Sequence, residues 1–260
     1  MRIVYCFLFV LCIVSCKTKD EFVPRDFSKV EIETILQDSL LNVRAIEILK
    51  DVEGCFFATS EGEFGTFYKS SIDDELLVDY PITVIKDTIK LNFRAVAINS
   101  KVGFAITIGN PTILFKIKND LKEVVYREDH PKTFYDAMDF WNDQEGIAIG
   151  DPTEGCMSII ITRDGGNTWT KLSCKDLPKT IDGEAAFAAS DTNIAIVGNH
   201  TWVATGGMAS RVLYSPDMGK TWQVFETPIV QRKATTGMYS IDFYDELNGF
   251  AIGGDYTKPN

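Results

Sequence analysis

Four short stretches of the chain place a carboxylate or carboxamide after a glycine and close to a threonine: Gly109-Asn110-Pro111-Thr112, Gly150-Asp151-Pro152-Thr153, Gly198-Asn199-His200-Thr201 and Gly254-Asp255-Tyr256-Thr257. Side-chain oxygens of this kind hold hard cations, sugar hydroxyls or peptide termini. The same residue types cap strand ends and form turns, so a binding cup and plain turn chemistry both fit the pattern. Three charged segments, Arg127-Glu128-Asp129-His130, Asp182-Gly183-Glu184 and Gln231-Arg232-Lys233, add groups that either meet a ligand or are simply solvated. The cup assembled from these stretches consists of Asn110, Asp151, Glu184, Asn199, His200, Arg232 and Asp255. None of them is put forward as catalytic.

A second pattern, Ser/Thr-x-Asp-x-Gly-x-Thr-Trp, starts at Thr162 and again at Ser215. Here Asp164 and Asp217 would accept hydrogen bonds from turn N–H groups, and Gly166 and Gly219 would supply positive φ. Trp169 and Trp222 would bury their rings while each keeps one N–H to satisfy. These are turn-holding roles, not chemical ones. Each copy follows a β-rich run, Ser158–Ile161 or Arg211–Tyr214, and predicts a β-hairpin whose second strand begins at the Trp.

Stepping upstream, an apolar strand bounded by Gly or Asn recurs five times, starting at Gly54, Gly103, Gly146, Asn193 and Gly249. An alternating strand precedes it at Asp136–Phe140 and Tyr239–Phe243. Four strands in roughly 40 to 50 residues is the size of one β-propeller blade. The expected fold is therefore all-β, a propeller of four-stranded antiparallel blades over residues 30–260. About four and a half blades fit into this length and six or seven are expected in the full protein, so a C-terminal truncation is expected. The alternating stretch Val30–Leu36 is the expected closing strand; a five-bladed variant patched by that strand is the alternative. In such a propeller the loops between second and third strands share one face with the interblade connections. That face carries the cup, opposite the Asp-Gly turns.

At the N-terminus, Met1-Arg2 precedes an apolar run from Ile3 to Val14, and Ile13-Val14-Ser15-Cys16 ends in a small residue before Cys. The run is too short to span a bilayer. It is similar to a bacterial lipoprotein signal, which implies a signal peptide at 1–15, a lipidated Cys16 and a polar tether over 16–29. The expected location is the cell envelope, with the lipid as the membrane anchor. A net charge of −11 argues against nucleic acid as a partner. Cys55, Cys156 and Cys174 remain after processing. Cys156 and Cys174 flank one predicted hairpin, so a disulfide or two buried thiols both fit. Without CxxC or HxxxH spacing no zinc site is implied, no cofactor is expected, and calcium is the one metal whose oxygen ligands the cup would supply.

The Asp-Gly pattern is that of the Asp-box, or BNR, repeat. Together with Asp139–Pro152, Gly183–Ser190 and Tyr239–Phe243, it resembles the photosystem II stability/assembly factor-like propellers, including lipoproteins of Bacteroidetes-type bacteria often labelled "oxidoreductase". The resemblance implies a propeller that binds or chaperones another protein; the photosynthetic partner does not carry over. The oxidoreductase label has no support, for there is no strand-linked Gly-x-Gly-x-x-Gly and no haem-attachment motif. A sialidase-like glycoside hydrolase is the rival reading. Its family motif Phe/Tyr-Arg-Ile-Pro has only Phe93-Arg94-Ala95-Val96 as a near match, which fails at the proline. The sequence therefore points to a lipid-anchored, monomeric propeller that binds an envelope protein or, on the rival reading, a glycan.

Overall fold

A computed structural model describes residues 29–32, 34, 36–49, 53–69, 76–79, 89–100, 102–118, 121–187 and 191–258. Cys16, the expected signal sequence and the expected tether up to residue 28 lie outside the described residues. Residues 1–38 form one unit and Ser39–Asn260 a second. In the first, the described residues form no strand, so the closing strand expected over 30–36 is not found among them. Val30 and Ile32 are exposed there, and alternation without a partner edge does not make a strand.

The second unit is all-β. Blade 1 is β1 (Val43–Ile48), β2 (Gly54–Thr59), β3 (Phe64–Lys69) and β4 (Leu76–Asp79), and blade 2 is β5 (Phe93–Asn99), β6 (Val102–Thr107), β7 (Thr112–Lys118) and β8 (Leu121–Glu128). Blade 3 is β9 (Tyr135–Phe140), β10 (Gly146–Gly150), β11 (Ser158–Thr162) and β12 (Thr170–Lys171). Each is an antiparallel meander in chain order. After β13 (Glu184–Ala185), blade 4 consists of β14 (Ile194–Val197), β15 (His200–Ala204), β17 (Arg211–Ser215) and β18 (Gln223–Glu226), with β16 (Gly206–Gly207) continuing the line of β15. Blade 5 is represented by β19 (Thr236–Phe243) and β20 (Gly249–Asp255). The pairing of Gly206 with Gly237 links β16 to β19, giving a fifth four-stranded sheet in the order β13-β16-β19-β20. Four full blades and the first hairpin of a fifth agree with the repeat count.

The alternation of each strand sends side chains to both faces of its blade, and neighbouring faces meet in four apolar clusters. Phe56, Phe93, Val96 and Phe115 fill the space between blades 1 and 2. Phe104, Tyr135, Met138, Phe140 and Trp169 fill that between blades 2 and 3. Ile147, Ile149, Ile159, Ile194, Val203 and Leu213 lie between blades 3 and 4, and Ala195, Trp202, Met238 and Ile241 between blades 4 and 5. No blade has a core of its own, so each depends on its neighbour, as stacked repeats do. The first strands β1, β5, β9, β14 and β19 contact one another in that order and form the inner wall of the arc.

Both Asp-Gly turns fold as expected. Asp164 accepts from the Thr168 N–H (2.9 Å) and hydroxyl (2.7 Å) and from the Thr162 hydroxyl (2.9 Å). Asp217 repeats the pattern with Thr221 and Ser215. Partial burial raises both carboxyls, but these hydrogen bonds outweigh it and hold them below the usual range. Gly166 and Gly219 both have φ of 77°. A Cβ on Gly166 would stand 2.3 Å from the Phe104 ring, so this turn of blade 3 needs glycine to rest on blade 2. Trp222 Nε1 donates to Gly219 O (3.1 Å), whereas Trp169 Nε1, expected to find a partner, has none among the described residues. The disulfide Cys156–Cys174 ties the two ends of the β11–β12 hairpin. Cys55 is a buried free thiol, pushed up to about 11 by burial.

Candidate binding site at the channel mouth

The same irregularity occurs near the start of four first strands. The register of β1 against β2 skips Arg44, that of β5 against β6 skips Arg94, that of β9 against β10 skips Asp136, and that of β19 against β20 skips Tyr239. An extra residue in one strand is a β-bulge, which turns its side chain out of the sheet's alternation. The apolar neighbours show the displacement, because Phe93 and Val96 share one cluster although three residues apart, as do Tyr135 and Met138, and Met238 and Ile241. Equivalent positions of blades 1, 2, 3 and 5 thus carry two arginines, an aspartate and a tyrosine near the start of the first strand.

The electrostatics of Arg94 and Asp136 are coupled. The Arg94 guanidinium is pulled down by burial and by Arg44, opposed by the carboxylates of Asp136 and Asp191, and its carbon sits 5.8 Å from the centre of the Phe134 ring. Asp136 is 1% exposed, and burial, with the nearby Asp151 charge, drives its carboxyl well above the usual range against the pull of Arg94. Asp151 rises to about 6 through burial, moderated by the Ala186 N–H that it accepts at 2.9 Å. Asp191, at φ 54°, extends from blade 4 to blade 2, where Val96 N–H donates to it at 3.4 Å. Burial raises Asp191 too, and the charges of Glu47, Asp139 and Asp136 add to this.

Hydrogen-bonding capacity is left over along this wall. Asn92 Oδ1, Arg94 Nε, Asp136 Oδ2, Asp191 Oδ1 and both amide atoms of Asn193 are buried without a partner among the described residues. Such atoms are few in folded proteins and cost about 1–3 kcal/mol each when unmet. Their concentration on or just before the first strands of blades 2, 3 and 4 marks this wall as one that can receive a polar ligand.

Of the seven cup residues, Asp151 belongs to this charged group. Asn110, exposed in the β6–β7 loop, and Arg232, exposed at φ 79° with its N–H donating to Gly207 O, lie on the same face without joining it. Asp255 ends β20 beside Tyr239, whose hydroxyl its charge helps to raise after burial. Hydrogen bonds from Thr257 and Thr235 hold the Asp255 carboxyl itself below the usual range. Phe187, Tyr239 and Tyr256 form an aromatic group there, with centroids 5.7 and 5.9 Å apart.

The other three cup residues are placed differently. Glu184 is buried and accepts from Arg211 Nε (3.1 Å), Arg211 Nη2 (2.5 Å), Thr205 Oγ1 (2.7 Å) and Ile181 N (2.9 Å), so its oxygens are committed to the fold. Asn199 lies in the β14–β15 turn and His200 begins β15, both on the opposite face, where Asn199 O accepts from Met218 N in the second Asp-Gly turn. His200 contacts the Tyr214 hydroxyl at 2.5 Å and Glu246 at 3.5 Å. The run Asn193–Gly198, read as a second strand, holds the first strand of blade 4, and Trp202-Val203-Ala204 supplies the second. Sequence reasoning missed Arg44, Arg94, Asp136, Asp191 and Tyr239. The three-residue spacing of the apolar pairs around the bulges was the one signal for them.

No protein-family model matches the chain, and no curated protein matches it. Among solved structures, the RRP9 WD40 repeats align over 83% of this chain and 58% of their own, with 12% identity and a TM-score of 0.53. U3-55K aligns over 80% and 57%, again at 12% identity, with a TM-score of 0.50. The chain thus spans less than two thirds of the length of these neighbours. YCF48 bound to a D1 peptide aligns over 83% of this chain and 91% of that one at 13% identity, with a TM-score of 0.38. At such identities the likeness is one of fold, and with the four-stranded sheets stacked face to face it makes this chain a β-propeller.

Proposed function

We propose that this chain is a lipid-anchored envelope propeller that holds a segment of another protein at the channel mouth, as a binding or assembly module. The observation that carries the reading is the recurrence of a bulge residue near the start of the first strand in blades 1, 2, 3 and 5. Arg44, Arg94, Asp136 and Tyr239 are the unmatched residues near the start of the first strands of blades 1, 2, 3 and 5, and Arg94 and Asp136 stand beside buried polar atoms that lack partners among the described residues. A guanidinium beside buried carboxyl groups, with aromatic rings near Asp255, suits a peptide segment that offers both donors and acceptors. The resemblance of Asp139–Pro152 and of the Asp-box turns to assembly-factor propellers supports the same reading, and the Cys16 motif supports the anchor. Affinity capture from solubilised envelope tests it: the wild-type chain should retain a protein partner, and Arg94→Ala with Asp136→Asn should release it while the fold persists. Cys16→Ala should move the chain from the membrane to the soluble fraction.

A glycosidase reading is favoured by one set of facts. Two arginines, a tyrosine beside Asp255 and a carboxyl at about 6 on Asp151 are the residue types a sialidase-like site uses. Turnover of a fluorogenic sialoside that is lost in Tyr239→Phe would establish it in place of the binding module.

A further inference from the structure

At the outer edge of blade 3 a cavity of about 750 Å³ opens beside β12, between the β10–β11 loop and the segment that follows β12. Residues 121–187 are described throughout, and they include every sequence neighbour of its lining. Three lysines meet there, Lys171, Lys175 and Lys179, and Glu154 is the one carboxylate among the lining residues. In a chain of net charge −11 this is a local reversal of sign. The Lys171 ammonium is half-buried and held in place, donating to Glu128 Oε1 (2.5 Å) and Thr153 Oγ1 (2.9 Å). An ammonium has three donors, so one N–H of Lys171 remains. Lys175 and Lys179 are exposed and form no ion pair among the described residues. The backbone that carries the three lysines is pinned along its length. Leu172 N donates to Ile159 O (2.8 Å), the disulfide joins Cys174 to Cys156, Leu177 is buried between blades 3 and 4, and Thr180 N donates to Gly155 O (3.0 Å). Lys179 O in turn accepts from Arg211 Nη2 (2.9 Å).

We propose that this cavity binds a phosphate dianion, free or as a monoester, whose charge is spread over several oxygens. Lysine binds phosphate as a point charge, and the unpaired ammonium groups of Lys175 and Lys179 match its two charges. The remaining N–H of Lys171 and the Ser173 hydroxyl add neutralising donors around them. Ser173 Oγ accepts the Lys175 N–H (3.3 Å) and so keeps its own hydrogen to donate. A carboxylate, with one charge, would leave one ammonium unmatched. The volume lies in the range of small-ligand sites and exceeds what bare phosphate fills, and Leu172 and Leu177 offer apolar surface to the body of an ester. Glu154 opposes the anion and limits its affinity. The site lies at the edge of blade 3, away from the first strands, and stands or falls independently of the function proposed above.

Calorimetric titration with phenyl phosphate, inorganic phosphate and benzoate tests the assignment, at constant ionic strength and about pH 7.5, where a monoester carries close to two charges. Phenyl phosphate should bind saturably and at least about tenfold more tightly than benzoate. Lys175→Gln with Lys179→Gln should weaken it at least about tenfold. Lys220→Gln with Lys258→Gln removes the same charge from exposed positions elsewhere and should leave binding within about twofold. Glu154→Gln, at an exposed position, should tighten it about threefold by removing the like charge. Inorganic phosphate that binds as tightly identifies the free ion as the ligand, and weaker binding identifies an ester with an apolar body; both support the phosphate site. Equal binding of benzoate, no saturable binding of either phosphate, or equal weakening by the two lysine pairs overturns it.

Discussion

Asp151, just after β10, and Glu184, at the start of β13, are both buried or half-buried carboxylates, yet they serve the fold in different ways. The folded chain raises the Asp151 carboxyl from 3.8 to about 6, because burial disfavours its charge. Below about pH 4 the group is protonated in both folded and unfolded chains and contributes nothing. As pH rises from about 4 to 6 the unfolded chain ionises first, so stability falls, and the loss is complete above about 6. Asp151→Asn keeps an acceptor for the Ala186 N–H and removes the charge. It should be more stable than the parent by about 1–2 kcal/mol at pH 7.5, with the difference gone near pH 3.5, as read by urea unfolding at both values. Glu184 instead neutralises the buried Arg211. Glu184→Ala should lose about 3–5 kcal/mol and leave ligand capture at the mouth intact in whatever fraction folds, because its role is to pair a charge inside the blade.

Strands and turns differ in how plainly the sequence announces them. The two Asp-Gly turns were legible because each residue type answers one local need, and local needs survive in any fold. Gly166→Ala should therefore cost about 2–4 kcal/mol, since both its φ and its contact with Phe104 forbid a side chain; thermal unfolding checks it. Reduction of Cys156–Cys174, which closes a loop of 18 residues, should lower stability by about 3 kcal/mol, measurable as a drop in the unfolding midpoint with dithiothreitol. Blade 4 was misread by one strand, because Asn193-Ile194-Ala195-Ile196-Val197-Gly198 has the composition of a second strand and only pairing to Trp202 and Val203 reveals it as the first. That slip carried Asn199 and His200 to the wrong face. The bulges were illegible for a different reason. A bulge is defined by what the partner strand does not match, so Arg44, Arg94, Asp136 and Tyr239 read as ordinary alternating positions until the register is known.

For the whole molecule, the blade count and the order of elements followed from repetition, whereas the channel is a product of blades brought together and has no local signature. The outer faces of the two terminal blades belong to the same scale. On blade 1, Val43 and Ile46 occupy the positions that Phe93 and Val96 fill in a buried interface, and both are exposed. On blade 5, Phe250 and Ile252 correspond to the buried Ile147 and Ile149 and are exposed as well, and β20 has no partner on its outer edge among the described residues. Apolar sheet faces of this kind drive association. An adjoining sheet packed on these positions would cover them as Phe93, Val96, Ile147 and Ile149 are covered inside the arc. The reach of Asp191 to Val96 joins residues 95 positions apart, on blades that are not neighbours. Genes built of repeats gain and lose units by unequal exchange, but a further unit copied between blades 2 and 4 would part this carboxylate from its N–H. The cross-channel bond thus ties blade 2 to blade 4 at a spacing of one intervening blade.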